Sequence, residues 1–266
     1  MAEAGIVAAV VGVAWAYAAG AHRAWSAAGP GRIVKPHQPW CMAAGLLTVL
    51  VVLSPVVDHR ATHSLTAHMT QHVLLLGVAA PLLVLGAPLP ALLWALPDRW
   101  RPRTGGAWRS VLHSQRGAGW ARWVIAALLL QGTAITVWHA PGPYQAADRN
   151  QALHAFEHVS YLATAMLFWW ALVAGRRSRF GAGVVALFVG SLPCTAVGAL
   201  LTLADHPWYR DYVHGSVASA LSDQQLAGVV MWAFGGTVYV VAAAALFATW
   251  LAGIEKAMPA RTAVAR

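Results

Sequence analysis

The feature that most constrains this chain is a series of seven long apolar runs, near residues 4–21, 40–57, 65–87, 120–139, 151–174, 182–203 and 225–252, each bounded by charge or by Pro and Gly clusters. A hydrocarbon core about 30 Å thick is crossed by roughly 20 apolar residues in an α-helix, the form that satisfies its own backbone there. The expected fold is therefore all-α: a polytopic membrane protein of seven transmembrane helices forming one bundle over residues 1–266, with no soluble domain left over. Only 10% of the side chains are charged, against roughly 25% in soluble domains. Pro88 to Leu96 is apolar but short and rich in proline, and is expected as an interfacial extension of the third run. Pro193 is expected to kink the sixth. Before the first run stands Glu3 and no basic residue, which argues for a mature span rather than a cleaved leader despite Ala16-Tyr17-Ala18. Cys41 and Cys194 lie in or beside apolar runs, and no disulfide is expected.

The basic residues sort by side. Of 18 Lys and Arg, fifteen fall in alternate connections: Arg23, Arg32 and Lys35; six from Arg99 to Arg122; Arg176, Arg177 and Arg179; and Lys256, Arg261 and Arg266. The other connections hold three, Arg60, Arg149 and Arg210. The positive-inside rule then places the N-terminus outside and the C-terminus in the cytoplasm. The formal charge of +9 is thus topological rather than a nucleic-acid footprint, and the same loops attract anionic membrane lipid.

With this orientation, nine of the twelve histidines (His59, His63, His68, His72, His139, His154, His158, His206 and His214) fall toward the outer side, and His22, His37 and His113 toward the cytoplasm. Ionisable side chains within spans are expensive and usually face a bundle interior. His68 and His72 stand four apart at the start of the third run, and His154 and His158 repeat the spacing at the start of the fifth. Residues four apart share a helical face, so each pair can grip one metal ion. His139 ends the fourth run at the same depth, and Glu157 lies on the stripe of His154. The leading expectation is a shared metal site of His68, His72, His139, His154, His158 and Glu157; the alternative is a structural or proton-relay cluster. Imidazoles with a thioether from Met69 suit copper, and zinc is not excluded, although packing is the ordinary role of a single methionine. Haem is less expected, because its axial ligands approach iron from opposite faces and two histidines of one helix, four apart, cannot both serve.

Other seven-helix chemistries fit poorly. A retinal Schiff base needs a lysine within a span, yet Lys35 and Lys256 lie in connections. Ser64 near His68 has no triad logic. Ser222-Asp223-Gln224-Gln225 reads as a capping box opening the seventh run, with Ser222 as N-cap. Asp223 complements the helix dipole there or faces the outer cavity. Trp40, Trp120, Trp138 and Trp208 read as interfacial anchors.

The chain carries, in order, Leu53-Ser54-Pro55, His68-Met69-Thr70-Gln71-His72, Ala80-Pro81 through Ala87-Pro88, and Trp138-His139-Ala140-Pro141 with Tyr144. There follow His154-Ala155-Phe156-Glu157-His158 leading to Phe168-Trp169-Trp170, then Pro207-Trp208-Tyr209, and Asp223-Gln224-Gln225-Leu226-Ala227-Gly228 with Met231-Trp232. In this set, over residues 53–232, the sequence resembles the caa3-type cytochrome c oxidase assembly factor family, the membrane CtaG proteins. The resemblance implies a multi-pass protein of the bacterial plasma (inner) membrane that matures haem-copper oxidases at the step where copper reaches them. It implies no enzymatic activity. It also implies an oxidase subunit as partner, a periplasmic copper donor as source, and His68, His72, His139, His154 and His158 as site residues with Glu157 and Asp223 as acidic companions. The alternatives are a metal-free scaffold for an oxidase subunit and a haem-binding redox protein. Thr70 and Tyr161 depart from the family pattern, where apolar or Phe residues are expected. His59, His63, His206 and His214 match no motif position.

Overall fold

The computed structural model describes residues 2–174 and 179–264, with side chains described over 5–174 and 179–255. Arg176 and Arg177 of the charge count lie outside the described residues, and Lys256, Arg261 and Arg266 outside the described side chains. Among the described residues the chain is helical and has no strand. The helices are α1 (Ala2–Ala28), α2 (Gln38–Val52), α3 (Pro55–Ala61), α4 (Leu65–Leu74), α5 (Ala80–Leu85), α6 (Pro88–Ala95) and α7 (Arg101–Ser114). They continue as α8 (Gly119–Trp138), α9 (Pro141–Asp148), α10 (Gln151–Val173), α11 (Phe180–Thr202), α12 (Val217–Val229) and α13 (Gly235–Val264).

Among the described residues, five segments are long and apolar enough to cross a membrane: Gly5–Ala28, Leu65–Leu85, Gly119–Trp138, Phe180–Thr202 and Val217–Glu255. The pair α2 and α3, bent by 51°, makes a sixth if it is one span. The α10 helix has the length, 23 residues, but His154, Glu157 and His158 lower its apolarity, so seven spans are not reached by composition. The break in the second run falls where Ser54, extended at φ −74° and ψ 150°, precedes Pro55, because a residue before proline is pushed out of the helical region.

The third run is helical from Leu65 to Leu85 but widens into a π-helical turn at Leu75–Ala79. Proline at 81 has no N–H to give four residues back and its ring crowds that carbonyl, which a wider turn relieves. The run stops at Ala87, whose left-handed φ of 45° turns the chain. Pro88–Ala95 is therefore a separate helix rather than an extension of the third, and it packs on α1. The Tyr17 hydroxyl donates to Gly86 O at 2.8 Å and Arg23 to Ala95 O at 3.1 Å. At Gly20 any Cβ would strike the Ala91 carbonyl. In the sixth run α11 continues through Pro193 to Thr202, and the proline ring packs where a side chain at Gly132 of α8 would stand.

The seventh run begins earlier than the capping-box reading placed it. Ser216 is the N-cap, accepting from Ser219 N, and Ser222 lies inside α12 with its hydroxyl donating to Ala218 O. Of the tryptophans, Trp40 is exposed, as an anchor should be, and Trp138 and Trp208 are half-buried. Trp120 is instead buried, its indole donating to Ala171 O at 2.8 Å. One hydrophobic core joins α4, α8, α10, α11 and α12, and a second joins α1, α2, α5 and α6. The first core places the starts of α4, α10 and α12, the end of α8 and the 203–216 connection at one end of the bundle, tied by hydrogen bonds between Asp223 and the first turn of α4, between His68 and Tyr212, and between Tyr209 and the His139 carbonyl. Arg60 in the last turn of α3, Arg149 and Arg210 are exposed at that end.

Candidate metal centre

The α4 helix starts where Ser64 turns its side chain to accept from Ala67 N, and α10 where Asn150 accepts from Ala152 N and Leu153 N. These caps fix the first turns, so His68/His72 and His154/His158 project one turn inside each helix. The two pairs face each other. The Nε2 atoms of His68 and His72 lie 3.0 Å apart. The His68 ring is 5.2 Å from that of His154 and 6.2 Å from that of His158, and the His72 ring is 5.3 Å from that of His158. Glu157 brings a carboxylate oxygen to 3.6 Å from His72 Nε2, both side chains about 1% exposed.

Among the described residues two groups of donors result, each with its ligand atoms within 4.8 Å of one another: His68, His154 and His158, and His68, His72 and Glu157. His68 belongs to both. His154 Nε2, His158 Nε2, His72 Nδ1 and Glu157 Oε1 are buried atoms without a hydrogen-bond partner. A buried polar group left unpaired costs about 1–3 kcal/mol, and four such atoms in one cluster match the demand of a cation for nitrogen and oxygen donors.

The surrounding hydroxyls set the direction of the donors. Tyr212 Oη is 2.8 Å from His68 Nδ1, 3.0 Å from Ala61 O and 3.2 Å from Tyr144 Oη. The Ala61 carbonyl can only accept, so the single Tyr212 proton goes there and His68 Nδ1–H donates to the Tyr212 oxygen. This assignment from the hydrogen-bond network leaves a lone pair on His68 Nε2, the atom facing the cluster. His139 follows the same logic. Its Nδ1 lies 2.8 Å from Ile135 O and 2.9 Å from Tyr161 Oη, so Nδ1 carries the proton. The bare Nε2 meets Met69 Sδ at 3.3 Å.

Of the residues expected at the site, His68, His72, His154, His158 and Glu157 converge. His139 stands beside them, its ring 5.6 Å from that of His72, but pairs with Met69 and joins neither group. Met69, fully buried, turns its sulfur to that imidazole instead of to lipid. Asp223 is not a companion of the donors. Its carboxylate accepts from Leu65 N at 2.6 Å, Thr66 N at 3.3 Å and Ser64 Oγ at 3.0 Å, capping α4 from a neighbouring helix. Gln224 receives Trp208 N and donates to His206 O, and Gln225 donates to Ala204 O, so the Asp-Gln-Gln run is a clamp. Ser64 is spent on these caps.

Sequence reasoning missed the tyrosines. Tyr144 and Tyr209 stand in motifs without a role, Tyr161 reads as a departure from the family pattern, and Tyr212 lies in a connection with no periodicity. All four are buried around the imidazoles, and Tyr209 Oη donates to His139 O at 2.8 Å. Outside the spans, burial pushes the Tyr212 phenol up, keeping it a neutral donor. Burial also holds the Asp148 carboxyl, 3.4 Å from Tyr212 Oη, above its usual range, against the pull of His154.

Apolar helices around an enclosed set of imidazoles and a carboxylate define a multi-pass helical membrane protein with a candidate metal centre. The family model for "Cytochrome c oxidase caa3 assembly factor (Caa3_CtaG)" matches residues 15–253. The chain belongs to this family. It is similar to an uncharacterized protein of Mycobacterium bovis and one of Mycobacterium tuberculosis, each 26% identical over 196 residues, which are 70% of this chain and 30% of the relative. The chain therefore spans less than a third of the length of those curated relatives. No solved structure matches it.

Proposed function

We propose that the protein carries copper to a haem-copper oxidase during assembly, as cargo held by the histidine cluster at the outer face of a bacterial plasma membrane. In this reading α1, α2 with α3, α4 with α5, α8, α10, α11 and α12 with α13 are seven spans, with the N-terminus outside. The Arg-poor loops then lie on the periplasmic side, where a copper donor loads the cluster and an oxidase subunit receives from it. Binding and release suffice, and no catalytic step is required.

The observation that carries this reading is the sharing of His68 by two donor groups. Transfer needs ligands that bind without trapping, and a shared imidazole lets an ion gain His72 and Glu157 as it loses His154 and His158. The order is also one of depth: His154 is half-buried, and His68, His72 and Glu157 are enclosed. Beyond them the Met69 thioether and His139 offer a softer pair, which favours Cu(I) over harder ions. The Glu157 carboxylate balances the charge of an ion held in a dry interior. Haem fits less well, since the rings of the cluster pack on one another at 4.3–6.2 Å and leave no slot for a macrocycle between opposed nitrogens.

The test is bound copper. Purified in detergent and exposed to Cu(I), the protein is expected to retain roughly one ion per chain, and His68→Ala/His72→Ala far less. Equal, negligible copper in both removes the site and leaves the scaffold reading.

A further inference from the structure

Three histidines outside the cluster lie in a row on the surface, His59 beside His63 and His63 beside His214. His59 and His63 stand four apart across the end of α3, with ring centroids 4.8 Å apart. His214, from the distant 203–216 connection, brings its ring to 5.8 Å from that of His63. All three are exposed. His63 is held in one tautomer: its Nδ1 lies 2.9 Å from His59 O, a carbonyl that only accepts, and 2.9 Å from Thr62 Oγ1, which itself donates to His59 O. The proton therefore sits on Nδ1, and the Nε2 lone pair is free for a ligand. His206 is not part of the group, being engaged with Asp205.

The trio is joined to the buried cluster along both chains that form it. His63 immediately precedes the cap of α4 and lies five residues before His68, and His214 follows by two residues the tyrosine that orients His68. His154 is the most exposed member of the cluster.

We propose that His59, His63 and His214 form a surface copper-binding site, the station at which an ion from the periplasmic side is first held before it passes to His154. This rests on the copper-carrier reading above. Exposed imidazoles lose little solvation and are free to turn, so the site binds weakly and exchanges fast, as a receiving station must. Its benefit is kinetic. An ion held beside the mouth raises its own effective concentration at the cluster without altering the affinity there.

The experiment uses the whole protein in lipid nanodiscs. In a His68→Ala/His72→Ala/His154→Ala/His158→Ala background, Cu(II) alone is titrated and followed by electron paramagnetic resonance. Nitrogen hyperfine structure from imidazole is expected, and its loss on adding His63→Ala. No imidazole-bound copper in that background overturns the surface site, whatever the buried cluster does. With the cluster intact, His59→Ala/His63→Ala/His214→Ala is expected to load Cu(I) about tenfold more slowly at limiting copper, with the final amount bound unchanged. An unchanged loading rate overturns the receiving role. Copper held by the intact protein only as it is held in the background, with no additional ion bound, sinks the carrier reading and leaves the surface site standing.

Discussion

Tyr212 shows how one hydroxyl can set the direction of an imidazole in the candidate metal centre. It touches no donor lone pair, yet by accepting from His68 Nδ1 it directs the His68 Nε2 lone pair into the cluster. Tyr212→Phe removes that acceptor and keeps the ring. Loss of such a partner typically lowers metal affinity about 10–100-fold. Competition against a Cu(I) chelator should show this drop, beside a lower melting temperature from the Ala61 carbonyl and His68 Nδ1–H left unpaired, and unaltered affinity would mean that Tyr212 does not direct the donor. A second residue-scale expectation concerns pH. Because burial raises the Asp148 carboxyl in the folded state, the fold favours its neutral form. That contribution is complete below the unfolded carboxylate range and is lost as pH rises through the raised value. Asp148→Asn should thus melt higher than the parent at pH 7, with the gap closing toward pH 4. A gap that widens on acidification contradicts the sign.

At the scale of elements, the site depends on where α4 begins, and that is decided from outside the helix. Two oxygens of Asp223 on α12 take Leu65 N, Thr66 N and Ser64 Oγ, so the position of the histidines is locked to a helix distant in sequence. Asp223→Ala should cost about 1–2 kcal/mol through the lost cap, and weaken copper binding as well because the first turn of α4 carries His68. A melting temperature equal to the parent's would show that Ser64 caps alone. The crossing of α11 and α12 is just as specific. A Cβ at Gly228 would stand 2.5 Å from Gly198 O and from Thr202 Oγ1, whereas nothing lies within 4 Å of one at Gly236. Gly228→Ala should therefore destabilise by about 1–3 kcal/mol, and Gly236→Ala should leave stability level or raise it by about 0.5–1 kcal/mol. Equal melting temperatures for the two would refute this packing.

These elements show what was legible beforehand. The starts of the third and fifth runs were legible from where the apolar stretches begin, near 65 and 151, while the caps that fix them, Ser64 and Asn150, went unread. The spacing of each histidine pair was legible because one helical turn fixes it. Their convergence was not, since helix rotation follows from side-chain packing across the bundle. Asp223 was misread for a related reason: Ser-Asp-Gln-Gln has the local form of a cap, but its carboxylate serves another helix, a long-range contact that no window of sequence contains. The tyrosine hydroxyls stayed hidden because an aromatic residue in a connection carries no periodic signal.

The whole molecule places every site feature at one end, and the functional reading requires that end to face outward. The charge asymmetry predicts it: the site's end carries Arg60 in the last turn of α3, Arg149 and Arg210, and α7 at the other end carries Arg101, Arg103 and Arg109 on a helix with no buried residue. Insertion retains clustered Lys and Arg on the cytoplasmic side, so the expected orientation turns the cluster outward. Two exposed positions report it, Ala152 at the start of α10 and Ser110 in α7. In a variant with Cys41 and Cys194 replaced by serine, Ala152→Cys is expected to react with a membrane-impermeant maleimide on spheroplasts. Ser110→Cys should react only after lysis. The reverse pattern would turn the cluster toward the cytoplasm, where the proposed donor and the surface trio of His59, His63 and His214 lose their meaning, while the convergence of the imidazoles would stand unexplained.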